Sequence, residues 1–322
     1  MKKPKVLVTS RLPKTVMVAL KKHFSINSYD KPKPLAKPEL IHRLKGMDGV
    51  ISMLSDTFDP EVLQKSPSLQ IISNYAVGYN NIDLSEAKKR SIMVTNTPGV
   101  LTEATCDLTW SLLLGVARRI VEGDQLVRKG KWKGWAPTLL LGQEIYGKTL
   151  GIIGMGRIGQ GVARRGLGFG MKIFYHNRSR LTQKMEKSLK AQWVSLPILL
   201  KKSDFISLHT PLTIETYHWI GKKELGLMKP TAILINTARG PIIDEKALVT
   251  ALKRKTIAGA GLDVFEKEPK LSRGLRNTPN TLLLPHLGSG TVETRIRMGM
   301  LVLENLKAFF KGRRPPHAIH HL

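Results

Sequence analysis

Only one of the 322 residues is a cysteine, Cys106, so no internal disulfide can form and a cytoplasmic location is the default expectation. Acids are also scarce: 24 Asp and Glu stand against 52 Lys and Arg, for a formal net charge of +28. No apolar run approaches the length of a membrane span; the best, Leu112 to Ala117, lies between Asp107 and Arg118. Near the basic start only Val6-Leu7-Val8 is apolar, too short for a signal peptide. No block of five like charges occurs, because the bases come as small groups such as Lys88-Lys89-Arg90. With no nucleic-acid reader motif beside them, they read as a surface bias or a field that draws in anionic ligands, and nucleic acid is not an expected partner. No cluster of His, Cys and carboxylate has metal-ligand spacing. His317, His320 and His321 crowd the tail, where a frayed terminus is the plainer reading. Cys106, among apolar neighbours, reads as packing. What remains, 42% hydrophobic and 6% aromatic, describes a soluble globular protein long enough for two cores.

The most informative segment present is Leu150-Gly151-Ile152-Ile153-Gly154-Met155-Gly156-Arg157-Ile158-Gly159, an apolar strand running into G-x-G-x-x-G. Glycine patterns alone are weak, but this one has the right context. Gln160 to Phe169 follows with apolar residues at helical spacing, and Lys172 to Tyr175 completes a βαβ unit of the length that a dinucleotide site requires. Gly154 permits the tight turn, Gly156 lets the backbone approach a pyrophosphate, and Gly159 allows close helix–strand packing. The amides at the helix start, Arg157 and Ile158 among them, then face the phosphates.

Alternation of short strands and helices organises the rest. Strands are predicted at Lys5–Thr9, Gly49–Leu54, Leu69–Ser73 and Met93–Asn96, then at Phe205–Leu208, Ala232–Asn236, Ala258–Leu262 and Thr281–Leu284. Helices are predicted at Lys14–His23, and as two long ones at Thr102–Arg118 and Val292–Lys311. This is an α/β chain with open, mostly parallel sheets. In such sheets ligands sit beyond the carboxyl ends of strands. Those ends carry Thr237-Ala238-Arg239-Gly240, then Asp263-Val264-Phe265-Glu266-Lys267-Glu268-Pro269, then Pro285-His286-Leu287-Gly288. One Arg, one carboxylate and one His thus fall directly after strands on one sheet edge.

At these residues the sequence resembles the D-isomer-specific 2-hydroxyacid dehydrogenases, and within them the glyoxylate and hydroxypyruvate reductases. Asn74-Tyr75-Ala76-Val77-Gly78-Tyr79-Asn80-Asn81-Ile82-Asp83 and Thr97-Pro98-Gly99-Val100-Leu101-Thr102-Glu103 match the same family upstream, so the resemblance covers nearly the whole chain. It implies two lobes: a Rossmann-type doubly wound sheet, residues 100–287, inserted into a smaller flavodoxin-like α/β substrate lobe made of residues 1–99 and 288–322. The two long helices would carry the hinge, and a homodimer is implied. The implied substrates are small 2-keto or 2-hydroxy acids. Arg239 would hold carboxylate and carbonyl with its planar fork of donors. His286 would donate the proton, histidine being the side chain that ordinarily titrates near neutrality, and Glu268 would orient it. Glu266, two residues away, is expected on the surface.

The resemblance further assigns the amides of Val77 and Gly78 to the substrate carboxylate. Thr102 and Asp263 would meet the cofactor, Asp263 at the nicotinamide carboxamide, with Thr210, Pro211, Thr237, Ala238 and Gly288 around it. His209 reads equally well as lining the adenine side or as a packed histidine. Trp135 matches a tryptophan that in these reductases reaches the partner subunit's active site; core or interface packing is the alternative. Met53 and Leu54 make the substrate wall apolar and short of cations, which suits glyoxylate or hydroxypyruvate better than a phosphorylated acid. Other specificities, such as 2-ketogluconate, phosphoglycerate or phosphite, stay open, as does a cofactor-sensing binding protein like the family's corepressor branch. NADP is the expected cofactor in preference to NAD. Where an NAD site places an acid at the end of its second strand, this chain reads Asn177-Arg178-Ser179-Arg180.

Overall fold

Strands form where short apolar runs end in a polar residue. Val6-Leu7-Val8, Val50-Ile51 and Ile71-Ile72 are wholly buried, as strands covered on both faces should be. The computed structural model describes residues 2–31 and 33–319. It divides into one unit made of the chain up to Leu101 together with the chain from Ser289, and a second unit, Thr102–Gly288. In chain order the first unit begins with β1 (Lys5–Val8), α1 (Lys14–His23), β2 (Ser25–Ser28), α2 (Lys37–Leu44), β3 (Gly49–Ser52), α3 (Pro60–Gln64), β4 (Ile71–Asn74), α4 (Leu84–Lys89) and β5 (Met93–Thr95). The second holds α5 (Thr102–Ala117), α6 (Ile120–Arg128), β6 (Thr149–Ile153), α7 (Arg157–Gly168), β7 (Lys172–His176), α8 (Gln183–Leu189), β8 (Ala191–Trp193), α9 (Leu196–Lys202), β9 (Phe205–Leu208), α10 (Lys222–Leu227), β10 (Ile233–Asn236), α11 (Glu245–Lys253), β11 (Gly259–Leu262) and β12 (Thr281–Leu283). The chain then returns to the first unit as α12 (Val292–Phe310).

The first unit is a five-stranded sheet in the order β2-β1-β3-β4-β5, every pair parallel. That is the flavodoxin-like order. The C-terminal tail runs back along it: Ile319 N donates to Val94 O at 2.9 Å, and Asn96 N to His317 O at 3.2 Å. His320 and His321 lie outside the described residues. The second unit is a seven-stranded parallel sheet in the order β12-β11-β10-β9-β6-β7-β8. Its strand order reverses between β6 and β9, the switch point at which doubly wound sheets bind dinucleotides.

Apolar clusters pack on both faces of this larger sheet. The long α5 exposes Glu103, Asp107 and Ser111 along one stripe and buries Leu112, Leu113 and Val116. Each such aliphatic side chain contributes roughly 1.5–3 kcal/mol relative to exposure. Trp110 on α5 stacks on Phe169 with centroids 4.7 Å apart and donates to Val162 O at 3.2 Å, tying α5 to α7. Two strands, β2 and β8, have no counterpart among the predicted ones. Both are edge strands, and β2 reads Ser-Ile-Asn-Ser with no buried residue. Among the described residues no helix is long and apolar enough to cross a membrane.

Candidate active site

The glycine turn leaves β6 at the switch point, and its three glycines do different work. Gly154 adopts φ +97°, and a Cβ there would stand 2.6 Å from the His209 carbonyl carbon, so the turn packs directly on the chain leaving β9. A Cβ on Gly159 would lie 2.2 Å from Gly154 O. Gly156 is different: nothing stands within 4 Å of where its Cβ would be. It caps α7 without a side chain, whereas Asp59, Asp83 and Asp244 cap their own helices through carboxylates. The first amides of α7, at Arg157 and Ile158, are therefore uncapped by any side chain beside open space. An anion is favoured there by both the dipole and the donors.

Thr210 fits the same reading, because its hydroxyl is buried and has no hydrogen-bond partner among the described residues. His209 beside it is packed. Burial pushes its pKa down to about 3, and its Nε2 meets Ser207 Oγ at 2.8 Å. A dinucleotide thus fits the residues present, on the open face of Gly156 and the orphaned Thr210 hydroxyl. Gly156→Ala is expected to leave the melting temperature unchanged, its Cβ meeting nothing in the protein, while weakening dinucleotide binding by at least about tenfold, or 1.4 kcal/mol. Fluorescence titration and thermal melts check it; unchanged affinity would mean that nothing approaches Gly156.

At the end of β7, Asn177 Oδ1 accepts Met155 N at 2.8 Å, and Trp193 Nε1 donates to Asn177 O at 3.2 Å. Asn177 is thereby pinned against the glycine turn. Arg178 and Ser179 are exposed. Arg180 is bonded to Glu186, at 2.8 Å from Nε and 3.0 Å from Nη2, so it is committed elsewhere.

Three strand ends build the reactive cluster. After β10, Asn236 folds over the turn: its Nδ2 donates to Arg239 O and its Oδ1 accepts Ala238 N, both at 2.9 Å. Thr237 is buried with its hydroxyl 2.9 Å from Thr109 Oγ1. Arg239 Nη1 donates to Ala238 O at 2.6 Å. Burial lowers the Arg239 pKa, and the charge of Glu268 opposes that.

After β11 comes Asp263, only 1% exposed, with Oδ1 accepting Leu287 N at 2.6 Å and Oδ2 accepting Gly288 N at 2.8 Å. Burial holds its carboxyl above the usual carboxylate range despite those bonds. Asp263 thus clamps the turn after β12, where His286 adopts φ +55°, a conformation uncommon outside glycine. Gly288 has its carbonyl engaged too, by Thr105 Oγ1 at 3.0 Å.

In that turn His286 Nδ1 lies 2.8 Å from Glu268 Oε2. Burial works to raise the Glu268 pKa, but the His286 bond and charge, the Phe265 amide and Arg239 together hold it below the ordinary value. Arg239, Glu268, His286 and Asp263 are therefore one electrostatic cluster, with His286 Nδ1 committed to Glu268. Glu266, expected at the surface, is instead mostly covered and bonded to His218 Nε2. His218 comes from a loop far away in sequence, so nothing near Glu266 announces it.

In the other unit, Leu54 and the Val77–Gly78 turn follow β3 and β4. Asn74 Nδ2 donates to Gly78 O and Asn96 Nδ2 to Val77 O, each at 2.8 Å, while Asn81 Nδ2 holds Met53 O at 3.2 Å and Asp56 O at 2.9 Å. The carbonyls are occupied, and neither the Val77 nor the Gly78 amide donates to another described residue. Asp56, buried and thereby raised in pKa, fastens the Leu54 loop by accepting Met53 N at 2.7 Å. Trp135 lies in the Thr102–Gly288 unit and is 83% exposed. Thr102 is half-buried at the start of α5, and Pro211 is exposed, its carbonyl accepting Thr216 Oγ1 at 2.8 Å. Among the described residues no group of three or more His, Cys, Asp or Glu is placed to hold a metal.

Residues 110–288 match the family model described as D-isomer specific 2-hydroxyacid dehydrogenase, NAD binding domain. A glyoxylate reductase of Thermococcus litoralis is 52% identical over 99% of this chain and 97% of its own length. A crystal structure of a Thermus thermophilus protein is 45% identical, covers 98% of this chain and all of its own, and superposes with a TM-score of 0.92. An NADPH-dependent glyoxylate/hydroxypyruvate reductase of Sinorhizobium meliloti, in complex with NADP and malonate, is 34% identical over 99% of this chain and 97% of its own, with a TM-score of 0.88.

Proposed function

The chain belongs to the D-isomer-specific 2-hydroxyacid dehydrogenases, a family of nicotinamide-dependent oxidoreductases, and on that premise we propose that it reduces glyoxylate and hydroxypyruvate with NADPH. The observation that carries the reading is the Glu268–His286 pair beside the half-buried Arg239. A reduced nicotinamide, when bound, would supply a hydride to the keto carbon. Negative charge then develops on the carbonyl oxygen, where the Arg239 guanidinium stabilises it. His286 gives up a proton from Nε2, because Nδ1 is held by Glu268. To the Val77 and Gly78 amides we assign a carboxylate, and to Leu54 the limit on side-chain size. Asp263 acts through the His286 turn it clamps.

Support for small substrates comes from the apolar Met53–Leu54 loop and from the names of the relatives. Steady-state oxidation of NADPH over a panel of 2-keto acids tests the function. Turnover no faster with glyoxylate or hydroxypyruvate than without any keto acid would sink it and leave a binding protein as the better reading. A homodimer belongs to the same proposal: α6 buries none of its residues, and Ile120, Val127, Trp132, Trp135 and Tyr146 are all exposed. A partner subunit over that face would cover them and give Trp135 its role.

NADPH preference rests on Asn177, Arg178 and Ser179. A carboxylate at Asn177 would repel the 2′-phosphate, and Arg178 offers it charged donors. Asn177→Asp keeps the acceptor for Met155 N while replacing the amide NH2 by a charged oxygen. Combined with Arg178→Ile it should swing kcat/KM towards NADH by at least about tenfold, or 1.4 kcal/mol. A wild-type kcat/KM for NADH at or above that for NADPH would overturn this reading.

A further inference from the structure

Glu245 opens α11 yet is only 2% exposed. A glutamate in the first turn of a helix ordinarily serves the dipole from the surface. This one folds inward. Its Oε1 accepts Glu266 N at 2.6 Å and its Oε2 accepts Ser272 N at 3.2 Å, two amides that bracket Glu268. Among the described residues no Lys, Arg or His forms an ion pair with it. A buried carboxylate is costly unless its oxygens are bonded, and the bonds it makes to amides are the strong, charge-assisted kind.

The segment it grips is held at two more points. Gly240, next to Arg239, lies so close that a Cβ there would stand 1.9 Å from the Phe265 carbonyl carbon. Glu266 is bonded to His218. Within the segment, Glu268 Oε1 accepts Phe265 N at 3.1 Å, which leaves Oε2 for His286. The placement of Glu268 is therefore fixed by backbone anchors, and Glu245 supplies two of them.

We propose that Glu245 is a positioning residue for the reaction, holding the Phe265–Ser272 segment so that the Glu268 carboxylate meets Nδ1 of His286. The inference rests on the function assigned above to the Glu268–His286 pair. The charged groups facing Glu268 are His286 and Arg239, with Asp263 within electrostatic reach. Glu245→Gln keeps size but turns an NH2 group towards one of the two amides. Glu245→Asp keeps the charge but falls short of the segment.

The experiment compares both variants with Glu268→Gln and with the double variant Glu245→Gln/Glu268→Gln, reading pH–rate profiles of keto-acid reduction. Glu245→Gln should lower kcat by about tenfold, change KM by less than about twofold, and shift the pH–rate profile to where Glu268→Gln puts it. The double variant should be no slower than Glu268→Gln alone, since one residue acts through the other. A folded Gln or Asp variant with wild-type kcat and profile, or losses that add in the double variant, would overturn the proposal. If the Gln variant does not fold, the Asp variant carries the same comparison. Imidazole NMR signals of His286, which need no turnover, separate the two levels. If the wild-type protein shows no keto-acid turnover, signals displaced by Glu245→Gln would uphold the positioning and refute the function; undisturbed signals would refute the positioning whatever the turnover.

Discussion

Replacing His286 by Asn is expected to lower kcat for keto-acid reduction by a factor on the order of 10² to 10⁴, the usual worth of a general acid, with dinucleotide affinity nearly unchanged. The two effects separate because the amides proposed to meet the phosphates follow β6 while His286 follows β12, strands that are not neighbours in the sheet. Single-turnover kinetics and cofactor titration on the same preparation check both halves. A folded variant with normal turnover would defeat the mechanism.

Glu268→Gln should cost less, because the imidazole remains, but it should shift the acidic or the basic limb of the pH–rate profile, because the pair loses its charged partner. Stability gives an independent readout. The folded-state pKa of Glu268 lies below its ordinary value, so its contribution is present above the ordinary glutamate range. That contribution is lost as pH falls through the depressed value. Unfolding of Glu268→Gln should lack that part of the acid dependence, and an identical acid limb of stability in both proteins would count against the pairing.

How much of this was legible in the sequence depends on whether a residue's partner is local. The strands that precede Arg239 and Asp263 announce themselves as short runs of small and apolar residues, because a strand buried on both faces has little choice of composition; the edge strand β12 is less buried but keeps the apolar run Leu282-Leu283. The edge strands β2 and β8 do not: Ser25-Ile26-Asn27-Ser28 pairs on one side only and buries no residue. Nor does α6, whose apolar residues face no core in the chain. At the cluster, the residues proposed to react are readable but their supports are not. Asp263 reads as a nicotinamide contact, yet its carboxylate holds the amides of Leu287 and Gly288, more than twenty residues on. Glu266 looks like a surface acid for the same reason, since the His218 that meets it arrives through the fold.

Arg239→Lys should be severe although it keeps a positive charge. The guanidinium offers a rigid planar fork that can meet carboxylate and carbonyl oxygen together; an ammonium is a compact point charge that cannot span both. Burial adds a second penalty. It already acts against the Arg239 charge, which survives because a guanidinium holds its proton in almost any surroundings. A lysine in the same place yields its proton far more readily. The backbone does not accommodate the change either, because Asn236 pins the Arg239 carbonyl and Gly240 packs on Phe265. Loss is therefore expected in both parameters, in KM because the ground-state carboxylate loses a donor, and in kcat because charge developing on the carbonyl oxygen loses its partner. A fall in kcat/KM of at least about a hundredfold corresponds to roughly 2.7 kcal/mol of transition-state stabilisation. Steady-state kinetics on a variant shown to bind the dinucleotide normally decides it. Near-native kcat/KM with Lys would make Arg239 a structural residue and move the recognition of the keto acid elsewhere in the protein.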